Sequence, residues 1–144
     1  MPVPANPRKR EFYVYQFKLN DYPFYVGIGR ANRGPDRVRY VQSLLTPQNK
    51  AKLARSSLCV RVMAKFIQKN RAIAYSQTRQ PLTRAQALAL EKKLIARLIR
   101  KRYLLTNWQC NPFRHQDADM AVKAILTGQR IFPSEDDAIE RAKR

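Results

Sequence analysis

The chain has 144 residues, with 29 Lys and Arg against 10 Asp and Glu and a formal charge of +19, enough chain for one domain with a real core. A hydrophobic share of 44 % excludes a disordered basic tail, no apolar run approaches the ~18 residues of a membrane span, and the opening MPVPANPRKR lacks the apolar stretch of a secretory signal. Cys59, Cys110 and the single His115 form neither a disulfide framework nor a zinc pattern, so the expectation is a cytoplasmic protein with reduced thiols whose charge favours a polyanion, nucleic acid before all others.

Residues 1–10 carry three prolines and a basic cluster and read as a flexible arm. Residues 11–19 (EFYVYQFKL) and 24–28 (FYVGI) are aromatic and β-branched, and Asn20-Asp21-Tyr22-Pro23 between them supplies turn chemistry, so the pattern predicts a β-hairpin with a slightly long loop. A loop with two glycines, Arg30 and Arg33 follows, then a helix capped by Asp36 and running to about Leu45. Thr46-Pro47 starts a basic helical stretch toward Asn70 with a break near Arg55-Ser56-Ser57. Beyond that break Leu58, Val62, Met63, Phe66 and Ile67 share a face. Residues 72–78 read as a short third strand.

The clearest helix spans 83–102, opened by a Thr83/Gln86 capping box and striped with Leu88, Leu94, Ile95, Leu98 and Ile99. Residues 117–127 read as an amphipathic helix ended by Gly128, and Ser134 caps a last short one. The fold class is therefore α/β: a small antiparallel sheet flanked by helices.

Charge is distributed unevenly. Between Arg37 and Arg114 there are 18 basic residues and one acid, Glu91. On a 3.6-residue period Glu91 falls on the face of Ala87, Leu88, Ile95 and Leu98, and its i−4 and i+4 neighbours, Ala87 and Ile95, offer no cation. A carboxylate there is costly unless paired or bound to metal. Two readings stay open: an ion pair with an Arg brought by the fold, or a ligand for a hard divalent cation. Tyr13, Tyr15 and Tyr25 lie on neighbouring strands, where tyrosines usually pack.

Tyr13-Val14-Tyr15, nine residues, then Tyr25-Val26-Gly27 resembles the paired tripeptide of the GIY-YIG nuclease family. Arg33 follows in the next loop, Glu91 lies on a later helix, and Asn107 follows that helix, all in the family's order. The resemblance covers about 11–108. It implies a three-stranded antiparallel sheet flanked by helices and an endonuclease that hydrolyses DNA phosphodiester bonds with one Mg²⁺ or Mn²⁺ per site. It divides the chain into the arm at 1–10, the nuclease-like domain at 11–110 and a helical C-terminal extension at 111–144.

Carried over by position, Tyr15 and Tyr25 take the places of the two motif tyrosines; with no histidine in the matched region, Tyr15 is the expected general base, provided nearby metal and arginines lower its pKa, and Tyr25 is expected to position water or phosphate. Arg33 stabilises the transition state, Glu91 holds the metal and Asn107 supports the carboxylate. Tyr13 stands where the family name has Gly. Arg30 or Arg37 is the alternative to Arg33, and if either takes that role Tyr40 enters the site.

The cations Lys50, Lys52, Arg55, Arg61, Lys65 and Lys69, with Arg30, Arg37 and Arg39, are expected to track a DNA backbone. RNA or branched nucleic acid is the variant partner, and the extension offers a surface for a protein partner or a dimer. The rival readings are a nucleic-acid-binding module without cleavage and a basic protein associated with RNA or the ribosome.

Overall fold

A computed structural model of the chain describes residues 9–107 and 117–130. Three strands, β1 (Phe12–Leu19), β2 (Tyr22–Arg30) and β3 (Ala74–Gln77), form an antiparallel sheet in the order β2-β1-β3. Around it lie α1 (Asp36–Ser43), α2 (Lys50–Ala54), α3 (Leu58–Gln68), α4 (Arg84–Arg100) and α5 (Ala118–Thr127). The expected α/β class and three-stranded antiparallel sheet are what the chain forms. No helix among the described residues is long and apolar enough to cross a membrane.

The hairpin is tighter than its sequence implies. Asn20 and Asp21 have φ of 49° and 65° and make a two-residue turn, while Tyr22 and Pro23 already belong to β2. Asn and Asp tolerate the left-handed region, and a turn with both central residues there matches the twist of the strands it joins. Pro23 is accepted because β2 is an edge strand. The register slips between Phe17 and Lys18, leaving Phe24 as an extra residue. This bulge sends both Phe24 and Tyr25 toward the same core.

Period-two alternation along β1 builds one core on each face of the sheet. Tyr13, Tyr15, Phe17 and Leu19 pack with α1, α3 and α5, whereas Phe12 and Val14 join Ala87, Ile95, Leu98 and Ile99 of α4. Leu88, expected on the buried stripe, is 43 % exposed; Ala87 takes the inner position. The Thr83/Gln86 capping box forms at both of its hydrogen bonds. Asp36 does not cap α1: it sits in the first turn after Pro35, with no side-chain cap bond. Pro47–Asn49 is a short 3₁₀ turn before α2, and the break near Ser57 is real, with Ser57 Oγ accepting from Val60 N to cap α3.

After α4 the chain runs along the free edge of β2. Leu104 N donates to Tyr22 Oη at 2.7 Å, and Thr106 N donates to Phe24 O at 2.7 Å. Backbone groups of an exposed edge invite foreign pairing, and this segment occupies them. Further on, α5 buries Ala118, Ala121, Val122, Ala124 and Ile125 in the same core as α3, so the helix expected in the extension shares the sheet's core. Trp108, Cys110, His115, most of the arm and the helix expected from Ser134 lie outside the described residues.

Candidate active site

The local packing of β1 and β2 is built from tyrosine over glycine. Tyr15 faces Gly27 in the register and Tyr13 faces Gly29. A Cβ at Gly27 would lie 2.6 Å from Tyr15 Cζ and 2.8 Å from Tyr25 Cε1, so the missing side chain is what lets the two rings meet. A Cβ at Gly29 would run into the Tyr13 ring. Tyr13 is fully engaged: its hydroxyl donates to Ala31 O at 2.7 Å and accepts from Gly34 N at 3.0 Å. It therefore tethers the loop after β2 and is not among the residues that line the cleft below.

That cleft, of about 490 Å³, opens between the start of α3 and α4. Tyr25 from β2, Arg37 from α1, Arg61 from α3, Glu91 from α4 and Thr106 and Asn107 from the edge segment line it, with Ser56 to Cys59 forming one wall. Tyr15 lies behind Tyr25, with ring centroids 6.0 Å apart, and is 4 % exposed. Thus Tyr25, Glu91 and Asn107, read from the sequence as site residues, converge on one cavity, with Tyr15 in the layer beneath.

The arginine is different from the one carried over. Arg33 is exposed on the loop and lines a neighbouring hollow. Arg30 is exposed too, paired with Glu11 at 3.2 Å and placed over the Phe12 ring. Arg37 is the one that reaches the cleft: its guanidinium sits 5.1 Å from the Tyr25 ring centroid, and its buried Nε has no hydrogen-bond partner. The reason is helical phase, since Arg37, Val41 and Leu44 stand at i, i+4 and i+7, and the latter two are fully buried. That pattern was readable in the sequence. Tyr40 lies on the outer flank of α1, 47 % exposed, and lines the neighbouring hollow rather than the cleft.

Glu91 is half-buried and forms no ion pair with the described residues, so of its two readings the internal Arg partner is not the one realised there. Burial raises its carboxyl pKa above the usual range, with no cation among the described residues offsetting it. Among the described residues no three His, Cys, Asp or Glu side chains gather to hold a metal. The donor set on offer is one carboxylate facing a cleft open to water. This fits a hard cation that keeps most of its waters and does not fit zinc.

Asn107 works on the backbone. Its Oδ1 accepts from Val26 N at 3.1 Å and its Nδ2 donates to Val26 O at 2.7 Å, which fixes β2 immediately after Tyr25. The buried phenol of Tyr15 and the partly buried one of Tyr25 are held neutral. Burial raises the pKa of Tyr15 more than Arg37 lowers it, and burial with the neighbouring Tyr15 raises that of Tyr25. Of the metal and arginines expected to lower the Tyr15 pKa together, Arg37 acts in that direction, but desolvation outweighs this one guanidinium.

Ser56, Ser57, Cys59 and Thr106 are lining residues that sequence reading did not single out. Ser57 had a signal, its place before an apolar helical run; Cys59 had none. Burial pushes the Cys59 thiol up to about 11, so it is a neutral wall residue.

The expected backbone-tracking cations divide. Arg39, Lys50, Lys52, Arg55 and Lys69 are exposed, Arg61 turns into the cleft with Nε donating to Ser56 O, and Lys65 pairs with Asp119 of α5 at 2.7 Å. The exposed face of α4 adds Lys92, Lys93, Arg97 and Arg100, so both helices that frame the cleft carry cations. No family model matches the chain, and no curated protein and no solved structure matches it.

Proposed function

We propose that the protein is a metal-dependent endonuclease of the GIY-YIG type that hydrolyses phosphodiester bonds in DNA. The observation that supports this most is the meeting of a half-buried carboxylate, without an ion-pair partner among the described residues, with a half-buried guanidinium and a tyrosine in one cleft of a strongly basic chain. Negative charge builds on the nonbridging oxygens of a phosphodiester as water attacks, and a guanidinium that never loses its proton stabilises it. Arg37 is assigned that task in place of Arg33.

Glu91 would hold one Mg²⁺ or Mn²⁺, which when bound neutralises charge on the phosphate and leaving oxygen. Tyr25, at the cleft surface, orients water or phosphate. Tyr15, beneath Tyr25 and beside Arg37, would take the proton of the attacking water only as its phenolate, and its raised pKa keeps that fraction small and the step slow at neutral pH. Asn107 positions Tyr25 through the backbone of Val26. Cations on α2, α3 and α4 carry the flanking phosphates, which gives affinity without reading sequence.

The test is nicking of supercoiled plasmid by the full chain with Mg²⁺, with EDTA, and with Glu91→Ala. The proposal expects nicked product with 3′-hydroxyl and 5′-phosphate ends only for the wild type with metal. Plasmid bound yet uncut under all three conditions would replace this reading with a binding module.

A further inference from the structure

We infer that the hollow beside the cleft is a nucleotide pocket, in which one base, unstacked from its strand, lies against the ring of Tyr40. This rests on the reading of the cleft as the place of a scissile phosphate, and it names the class of substrate: DNA that is single-stranded or locally unpaired next to the cut.

Continuity is the first argument. The hollow, of about 660 Å³, shares Arg37, Ser56 and Ser57 with the cleft, so a strand whose phosphate meets Arg37 in the cleft has a neighbouring nucleotide within reach of the hollow. The second argument is the chemistry of its walls. Tyr40 is 47 % exposed on a helix whose other apolar side chains turn inward, and its ring is in reach of Lys52, with Nζ 6.0 Å from the centroid. Arg33 is exposed and lines the same hollow, as do the acid Asp36 and the second cation, Arg37. An aromatic ring with Arg33 and Arg37 in the same hollow and Lys52 over the ring provides both things a single nucleotide asks for, a stacking platform and cations for its phosphates.

A base inside a duplex has both faces covered by its neighbours, so only a base out of the stack can use the Tyr40 ring. Arg33, displaced from the transition-state role, gains a function here as a phosphate anchor for the flanking nucleotide.

The experiment measures binding alone, by fluorescence anisotropy in EDTA with the full chain, using a single-stranded DNA octamer and a blunt hairpin duplex. Wild type, Tyr40→Ala and Tyr40→Phe are compared, since the ring and not the hydroxyl carries the stacking. The pocket predicts that Tyr40→Ala weakens single-strand binding about tenfold, in line with the loss of one base–aromatic stack. Tyr40→Phe and all duplex affinities should stay within about twofold.

Equal single-strand affinity for all three proteins overturns the inference. So does a parallel loss for Phe and Ala, or an equal loss on duplex. Because no metal is present, such a failure leaves the nuclease reading standing. Conversely, a wild type that never cuts DNA but shows the Tyr40 pattern overturns the nuclease and keeps the pocket.

Discussion

Arg37 shows how a functional residue is chosen by phase rather than by distance along the chain. Arg33 is nearer the second tripeptide, yet the loop leaves it exposed, whereas the first turn of α1 aims Arg37 at Tyr25. Replacing Arg37 by Ala should lower the single-turnover cleavage rate about 10²- to 10³-fold, the usual cost of losing one transition-state donor. Arg33→Ala should cost less than about tenfold, and a reversal of that order would return the role to Arg33.

Tyr15 gives a second test. A phenol whose pKa lies above its ordinary value is deprotonated about tenfold more with each unit of pH below that value. With Tyr15 as base the rate climbs steadily from pH 6.5 to 9, and Tyr15→Phe loses both the slope and most of the rate. A wild-type rate already flat by pH 8 would remove Tyr15 from proton transfer. Glu91 drew notice in the sequence as one acid among cations, whereas Asn107 was reached only through the family resemblance; the fold places both on the cleft. The state of Tyr15 was not legible, since it depends on burial from elements distant in the chain.

At the scale of elements, the edge of β2 is where fold and site are joined. Asn107 pairs with both backbone groups of Val26, so its side chain acts as one more rung on an edge strand. Asn107→Ala leaves two buried backbone groups without these partners and should destabilise the fold by about 2–4 kcal/mol, read as a lower urea midpoint at unchanged slope. A loss below about 0.5 kcal/mol would mean that the segment at 104–107 does not hold the strand.

Strands β1 and β2, α3 and α4 were readable from apolar period and caps. Their ends were less so: the tight Asn20-Asp21 turn drew Tyr22 and Pro23 into β2, and of the expected inner pair on α4 Ala87 is buried while the larger Leu88 is exposed. Side-chain volume outside a helix is no guide to depth when the facing strand is close, and α4 packs on β2 through small Ala87 as well as larger Ile95.

At the scale of the molecule, the chain carries a charge of +19, and Glu91 in the cleft has no ion-pair partner among the described residues. Phosphate contacts by exposed cations such as Lys52, Arg55, Lys92 and Lys93 release counterions, so the affinity for plasmid should fall by about 10²-fold or more between 50 and 200 mM salt. An affinity unchanged over that range would detach the basic surface from DNA.

Glu91 ties charge, stability and activity together. Its carboxyl binds a proton more tightly in the folded chain than in the unfolded one, so it favours the fold below its ordinary value of 4.5, and that support is lost as pH rises through the raised value. At neutral pH the bare carboxylate thus opposes folding in the absence of metal, a cost retained at a site whose use is to bind a cation.

The most direct measurement is Glu91→Gln, melted in EDTA and assayed for plasmid nicking in Mg²⁺ at pH 7.5 from the same preparation. The account predicts a Tm equal to or above that of the wild type and no nicking. A variant that cuts plasmid as the wild type does, with its fold intact, would contradict the central claim that this carboxylate holds the metal for phosphodiester hydrolysis.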